Sequence, residues 1–188
     1  MVAKIAVFAS GSGSNFQAIA ESIERGELTA NIGLVITDKP GAFVVTRAEK
    51  MGIPALELAP KTFESKVAYE EKIIEVLQEN NIEWVILAGY MRLVGETLLS
   101  AYENRIINIH PSLLPSFPGK DAIGQAMAHG VKITGVTVHY VDAGMDTGKI
   151  IAQGTVDVVE DDRAATESSI HKLEHELYTN TLQQLFKN

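Results

Sequence analysis

The feature that most constrains this chain is a repeated alternation of short apolar runs with longer helical patterns. Four runs have the length and β-branched character of buried strands: Lys4–Phe8, Asn31–Ile36, Trp84–Ala88 and Ile106–Ile109. Pro54–Leu58 predicts one more short strand. Because helical patterns separate the strands, the sequence predicts a mostly parallel sheet that is covered by helices on both faces.

The predicted helices lie between these strands. They cover about Asn15–Arg25, Phe43–Met51, Glu64–Glu79 and Gly95–Ala101. In the third of them an apolar stripe recurs at helical spacing, formed by Val67, Ile73, Ile74 and Leu77.

The second half of the chain changes character. Apolar and polar residues alternate, as is typical of β-strands, in Lys132–Val141 and Lys149–Val158. The glycine-containing loop Asp142–Gly148 joins these two segments. A closing helix is predicted over about Ala164–Phe186. We therefore predict one Rossmann-like α/β domain over residues 1–188, with a mostly parallel twisted sheet and an antiparallel extension in its C-terminal half.

Composition excludes several classes of function. The net charge of −8 disfavours extended contact with nucleic acid, because that contact draws its affinity from Lys and Arg. The chain has no cysteine, which excludes disulfides, thiolate metal sites and a cysteine nucleophile. No apolar run approaches the roughly 20 residues that span a bilayer, and Ile5–Ala9 is too short for a signal peptide. We expect a cytoplasmic protein without nucleic-acid or membrane partners.

Polar residues cluster where three predicted strands end, in Ser10–Asn15, Ala88–Val94 and Asn108–Gly119. Ligands of parallel sheets bind beyond the carboxyl ends of the strands, so we expect one common site there. The first cluster joins a strand to a helix. Its glycines expose N–H groups beside the helix N-terminus, which suits a phosphate monoester. A tight loop with Ser and Asn caps is the alternative interpretation.

The same loop fits other nucleotide motifs poorly. It lacks the Gly-Lys-Ser/Thr ending of a P-loop, and Phe16 stands where a dinucleotide fingerprint has its third glycine. Asp38, the candidate for the ribose-binding acid of such a fingerprint, is followed by the turn pair Lys39-Pro40. A nicotinamide-binding oxidoreductase is therefore a weaker interpretation.

The run Ile106–Pro115 is the most informative in the chain. Strand geometry puts Asn108 and His110 on the same side of the strand end, and Pro111 ends the strand. An amide donor beside an imidazole can stabilise an oxyanion while the imidazole handles a proton. A lone histidine is more often structural, but this pair at a strand end indicates catalysis.

Histidine needs a partner that keeps it protonated near neutral pH. The loop Asp142–Gly148 offers Asp142 and Asp146, and a nearby carboxylate would favour the charged imidazole and orient it. The spacing does not decide between the two, and an Asp/Gly turn is the alternative. No His-x-x-x-His pair or carboxylate set has metal-site spacing, so no metal is expected.

End to end, the chain resembles the phosphoribosylglycinamide formyltransferases, the folate-dependent transformylase family of purine biosynthesis. The resemblance rests on four segments: Ser10–Asn15, Leu87–Arg92, Asn108–Pro115 and Val138–Gly148. The His-Pro-Ser-Leu-Leu-Pro run is shared with other folate-dependent formyltransferases and indicates the chemistry. The phosphate loop and the short chain indicate this family among them.

The resemblance implies a role for each matching residue. The implied catalytic residues are Asn108, His110 and Asp146, so Asp146 rather than Asp142 pairs with the histidine. The implied substrate-binding residues are Gly13, Ser14 and Asn15 for the phosphate and Glu174 for the ribose. The implied folate-binding residues are Lys66, Met91, Arg92, Leu93, Val94 and Asn108. The phosphate-binding half would span about residues 1–105, and the catalytic and folate-binding remainder about 106–188.

The implied reaction transfers the formyl group of 10-formyltetrahydrofolate to the amine of N1-(5-phospho-D-ribosyl)glycinamide, without a metal, in IMP biosynthesis. A monomer or homodimer with only these small-molecule partners is expected. One alternative is a formyltransferase for another amine, such as methionyl-tRNA, which would be expected to carry a C-terminal nucleic-acid domain. A non-catalytic folate or nucleotide binding module is a further alternative, and the oxyanion-plus-proton set argues against it.

Overall fold

Residues 2–187, which the computed structural model describes, include seven strands of one mixed sheet. The strands are β1 Ala3–Phe8, β2 Ala30–Thr37, β3 Ala55–Glu57, β4 Trp84–Leu87, β5 Ile106–His110, β6 Ile133–Tyr140 and β7 Ile150–Asp157. Their order across the sheet is β3-β2-β1-β4-β5-β6-β7. The first five strands are parallel, whereas β6 and β7 pair antiparallel, which confirms the predicted fold class.

The described residues also form six α-helices and a short 3₁₀ turn at Pro60–Thr62. The helices are α1 Ser14–Glu24, α2 Phe43–Lys50, α3 Lys66–Glu79, α4 Glu96–Ala101, α5 Ala122–His129 and α6 Arg163–Phe186. The sequence analysis predicted five of these helices and missed α5. None of the helices within residues 2–187 combines the length and apolar character that crossing a bilayer requires.

The strand order places a topological switch between β1 and β4. From β1 the chain moves outward through β2 and β3, and it then returns to the other side of β1 to form β4. Connections that diverge in this way leave a crevice at the carboxyl ends of the two central strands. The fold therefore provides one obvious place for a ligand.

Two apolar clusters, one on each face of the sheet, form the core. On one face α1 and α6 contribute fully buried side chains such as Phe16 and Tyr178. On the other face α3 and α4 contribute Tyr69, Ile73 and Leu98. Both faces of the central strands are therefore covered, which explains their unbroken apolar sequences.

The predicted stripe on α3 is wrong at one position. Val67 is 52% exposed, whereas Tyr69, Ile73 and Leu77 are buried against the sheet. The helix begins after Ser65, whose hydroxyl accepts a hydrogen bond from Ala68 N–H at 3.1 Å. This N-cap sets the rotation of the helix, and Val67 falls in the first turn on the solvent side.

Candidate active site

A cleft of about 910 Å³ opens at the switch point between β1 and β4. Its walls include residues from all three polar clusters, in the ranges 10–15, 88–94 and 108–119. The volume is at the upper end of the roughly 300–1,000 Å³ that is usual for small-molecule sites. The prediction that the three clusters converge is confirmed.

The loop after β1 has the shape of an anion cradle. Gly13 has a φ of 76°, and a Cβ at this position would lie 2.6 Å from Val44 Cγ2, so only glycine fits. No side chain caps α1, which begins at Ser14, so the backbone N–H groups of its first turn are available to a ligand. Arg47 Nε donates to the Ser12 carbonyl oxygen at 2.7 Å and braces the loop from α2.

Glu174 extends from α6 to the same end of the cleft as Asn15. Both residues are buried, and the Oδ1 atom of Asn15 has no hydrogen-bond partner among the described residues. Burial raises the pKa of Glu174 from its ordinary 4.5 to about 7, and a hydrogen bond from the Asn15 side chain acts in the opposite direction. The pair therefore offers hydrogen-bonding capacity that a ligand can use.

The ring of His110 is fixed by the loop that follows β5. Its Nε2–H donates to the Phe117 carbonyl oxygen at 2.9 Å, because a carbonyl can only accept. Phe117 has a φ of 54°, which is uncommon for a bulky residue. With Nε2 engaged in this way, Nδ1 is the ring nitrogen that remains free for a reacting group.

Asp146 lies on the free side of the His110 ring. His110 Nδ1 and Asp146 Oδ2 are 3.5 Å apart, and both side chains are nearly buried. This distance is too long for a good hydrogen bond but lies within the roughly 4 Å limit for an ion pair between a carboxylate and a protonated imidazole. The carboxylate is held by Gly119 N–H, which donates to Oδ2 at 2.8 Å.

Asp142, the other candidate, organises its own loop instead. Its Oδ1 atom accepts hydrogen bonds from Gly144 N–H at 3.0 Å and from the Thr147 hydroxyl at 2.6 Å. Its carboxylate is exposed, whereas that of Asp146 faces the histidine. The geometry thus favours Asp146 over Asp142 as the partner of His110.

Asn108 is oriented by a second histidine, His139 on β6. His139 Nδ1–H donates to the Tyr140 carbonyl oxygen at 2.8 Å, which leaves Nε2 to accept from Asn108 Nδ2 at 3.2 Å. Burial lowers the pKa of His139 below its ordinary value, consistent with this neutral tautomer. One N–H of the Asn108 amide is thereby fixed, and the other is available to the cleft.

The segment Met91–Val94 lines the cleft beyond the end of β4. Met91 and Leu93 are 66% and 49% exposed, so apolar side chains stand open beside the cleft. The guanidinium of Arg92 lies over the Tyr69 ring, 5.8 Å from its centroid. Such a segment can cover a flat ring system and offer it backbone hydrogen bonds.

Lys66 takes a different position from the other predicted residues. It does not line the main cleft, but it borders a small recess behind the same segment, together with Arg92, Leu93 and Val94. All of the remaining predicted site residues line the cleft: Gly13, Ser14, Asn15, Met91, Arg92, Leu93, Val94, Asn108, His110, Asp146 and Glu174. His171 lines it too, one helical turn before Glu174.

Several residues that shape the site lie in or near the predicted clusters but received no role of their own among the predicted site residues. They are Ser10, Asp38, Phe117, Gly119 and His139. His139 had a signal, because it is a histidine between Val138 and Tyr140 in a predicted strand, and that strand pairs with the strand of Asn108. The others act through backbone groups or through contacts between loops, and the periodicity of apolar residues in a sequence does not reveal such contacts.

The arrangement can perform acyl-transfer chemistry. The amide N–H of Asn108 and the Nδ1 atom of His110 can act as two donors for an oxygen that gains negative charge, and Asp146 orients the imidazole. The loop Gly13–Asn15, at the start of α1 and in the same cleft, has the geometry to bind an anionic group. Among residues 2–187, no group of three or more His, Asp or Glu side chains is arranged to hold a metal ion.

Known proteins are similar to this chain in sequence and in fold. The family model described as formyl transferase matches residues 3–182. A phosphoribosylglycinamide formyltransferase of Bacillus subtilis is 54% identical over 183 residues, which are 97% of this chain and 94% of that protein. The crystal structure of glycinamide ribonucleotide transformylase 1 from Geobacillus kaustophilus matches with a TM-score of 0.96 and 55% identity, over 99% of this chain and 100% of that one. Human trifunctional purine biosynthetic protein adenosine-3 is 40% identical over 182 residues, 96% of this chain but 18% of that protein.

Proposed function

The chain belongs to the formyl transferase family, and on this premise we propose that it formylates the amine of N1-(5-phospho-D-ribosyl)glycinamide with 10-formyltetrahydrofolate. The family implies a folate co-substrate, and the relatives' names place the transfer in purine biosynthesis. The enzyme works in the cytoplasm on these small molecules. The observation that carries the proposal is a single cleft that joins an anion cradle, an oxyanion-type donor pair and an open apolar segment.

The substrate is held by its phosphate and ribose. The phosphate binds the N–H groups of Gly13, Ser14 and Asn15 at the start of α1, where the helix dipole favours negative charge. The ribose hydroxyls donate to Glu174, whose buried carboxylate has few other donors. Because these groups do not react, their binding energy serves to orient the amine.

The co-substrate fits the opposite wall. Met91, Arg92, Leu93 and Val94 would hold its ring system through backbone groups and exposed apolar side chains, and Lys66, in the recess behind this segment, would contact its outer part. The folate supplies an activated formyl group. Asn108 then stands between the two ligands.

The substrate amine attacks the formyl carbon and forms a new C–N bond. Negative charge develops on the formyl oxygen, where Asn108 Nδ2 and His110 Nδ1 each donate a hydrogen bond. A donor of this kind is worth roughly 2.7–4 kcal/mol. The bond from carbon to the folate nitrogen then breaks, and the proton lost by the amine ends on that nitrogen through His110 or water.

Asp146 orients the ring of His110. Its carboxylate oxygen Oδ2 lies 3.5 Å from Nδ1, on the side of the ring that faces the cleft. Gly119 N–H fixes the carboxylate, and the Phe117 carbonyl fixes the far side of the ring. The oxyanion donor is therefore oriented before the substrate binds.

The test is an absorbance assay that mixes the protein with glycinamide ribonucleotide and 10-formyltetrahydrofolate. We expect formyl transfer, and we expect His110→Ala and Asn108→Ala each to reduce kcat at least roughly a hundredfold while the fold is kept. Asn31→Ala, which changes an exposed asparagine on β2, is the control and should retain full activity. Absence of transfer by the unmodified protein would refute the proposed function, and normal kcat in either variant would remove that residue from the mechanism.

A further inference from the structure

Ser10 lies at the switch point and contacts two neighbouring strand ends. It is the last residue before the glycines of the phosphate loop, and it is 4% exposed. Its backbone N–H donates to the Gly89 carbonyl oxygen at 3.0 Å, and its Oγ accepts a hydrogen bond from Met91 N–H at 2.9 Å. One residue thus joins the loop after β1 to the segment after β4, which lies 81 positions further along the chain.

Asp38 fixes the direction of this connection. The Ser10 hydroxyl donates to Asp38 Oδ1 at 2.5 Å, because a carboxylate can only accept. The single hydroxyl proton of Ser10 is donated to Asp38, so Ser10 Oγ acts as the acceptor of the hydrogen bond from Met91 N–H. Asp38 is 7% exposed and follows β2, so three strand ends meet at one hydroxyl.

Both residues line the cleft, and their side chains are hydrogen-bonded to each other. The Asp38 carboxylate forms no ion pair with any cation in the range 2–187, and Ser10 is its hydrogen-bond partner. A buried carboxylate without a cation is costly unless hydrogen bonds replace its lost hydration, and the Ser10 hydroxyl supplies one such bond. This hydrogen bond stands next to the cradle Gly11–Asn15 and, through Met91 N–H, next to the segment Met91–Val94.

We propose that Ser10 and Asp38 are positioning residues that couple the binding of the phosphorylated substrate to the binding of folate. The inference rests on the proposed function, in which the two loops hold different ligands. A ligand that fixes one loop also fixes the Ser10 hydroxyl, and through Met91 N–H it sets the backbone that the second ligand contacts. Each ligand should therefore raise the affinity for the other, and by linkage both effects have the same size.

The experiment measures the dissociation constant of tetrahydrofolate by calorimetry, with and without saturating glycinamide ribonucleotide. Tetrahydrofolate carries no formyl group, so the ternary complex does not react. For the unmodified protein we expect the substrate to tighten folate binding about fivefold or more. In Ser10→Ala and Asp38→Ala the ratio of the two dissociation constants should fall toward one, whereas Asp38→Asn keeps an acceptor for the hydroxyl and should keep most of the coupling.

Ser22→Ala is the matched control, because Ser22 is a buried serine on α1 whose hydroxyl faces Glu27 instead of the cleft. It should leave the ratio unchanged. If Ser10→Ala does not fold, the ratio of the two dissociation constants is compared between Asp38→Ala and Asp38→Asn instead. A ratio of one in the unmodified protein, or an unchanged ratio in Ser10→Ala and Asp38→Ala, would overturn the inference. Failure of the unmodified protein to transfer a formyl group at all would instead refute the proposed function.

Discussion

Replacement of Glu174 by glutamine should make the protein more stable at alkaline pH and worse at binding its substrate. Burial raises the pKa of this carboxyl group from 4.5 to about 7, so the folded state resists its ionisation. In the unfolded chain the group ionises at its ordinary pKa. The penalty on folding is therefore absent well below pH 4.5, grows as the pH rises, and is complete above the folded pKa.

The size of the effect follows from the two pKa values. At about 1.4 kcal/mol per pH unit, the interval from 4.5 to about 7 corresponds to about 3 kcal/mol. Glutamine has nearly the same shape and never ionises, so Glu174→Gln should gain about 1 kcal/mol at pH 5 and about 3 kcal/mol at pH 8. For a chain of this length, the larger gain corresponds to a rise in Tm of roughly 6–12 °C.

The assay is urea denaturation of both proteins at pH 5 and pH 8, so that all other pH effects cancel in the difference. Glu176→Gln, an exposed position on the same helix, is the control and should show no gain that depends on pH. The KM for glycinamide ribonucleotide should rise in Glu174→Gln, because the amide accepts ribose hydroxyls less well than a carboxylate. An equal gain at both pH values, or a loss at pH 8, would refute the reasoning.

Two further predictions concern the loops on either side of the cleft. Ser14→Ala combined with Asn15→Ala should raise the KM for glycinamide ribonucleotide far more than the KM for folate, and the opposite result would mean that the ligands are assigned to the wrong walls. Glu70 is 4% exposed, and its carboxylate accepts hydrogen bonds from Gly95 N–H at 2.6 Å and Leu98 N–H at 3.1 Å. Glu70→Ala should lower the free energy of unfolding by about 2–3 kcal/mol in urea, whereas exposed Glu75→Ala should change it by less than about 0.5 kcal/mol.

The strand pattern was predictable because burial on both faces leaves a strong signal. Runs such as Trp84–Ala88 are apolar throughout, since α3 and α6 cover opposite faces of the same sheet. The missed helix, α5, has only eight residues and contains Gly124, so its three buried positions, Ala122, Ile123 and Ala126, are too few to establish a helical period. Its N-cap is Asp121, with a φ of 51°, which is a conformation that sequence pattern does not report.

The position of the site was predictable from topology, but the pairing within it was not. Asp142 and Asp146 occupy one loop, and their spacing is compatible with either one reaching His110. The choice depends on backbone conformation: Asp146 has a φ of 56° and receives a hydrogen bond from Gly119. Both facts arise from contact between loops that are far apart in sequence, so residue order alone could not supply them.

Acidic residues show most clearly why three-dimensional context decides function. Glu70, Asp38 and Glu174 all carry a carboxylate, and residue spacing alone predicts burial for none of them. In the fold all three are buried, yet the first caps α4, the second holds the Ser10 hydroxyl, and the third faces the cleft. Burial raises the pKa of Glu174 to about 7, because the hydrogen bond from Asn15 offsets only part of the lost hydration.

The burial of Glu174 explains why this residue is expected both to lower the stability of the folded protein and to bind the substrate. A carboxylate that lacks donors in the empty cleft destabilises the folded protein, and ribose hydroxyls would supply the missing donors. Part of the substrate's binding free energy then comes from hydrogen bonds that offset the free-energy cost of burying the Glu174 carboxylate. A neutral replacement removes that cost and the gain together, so stability and affinity must change in opposite directions at this position.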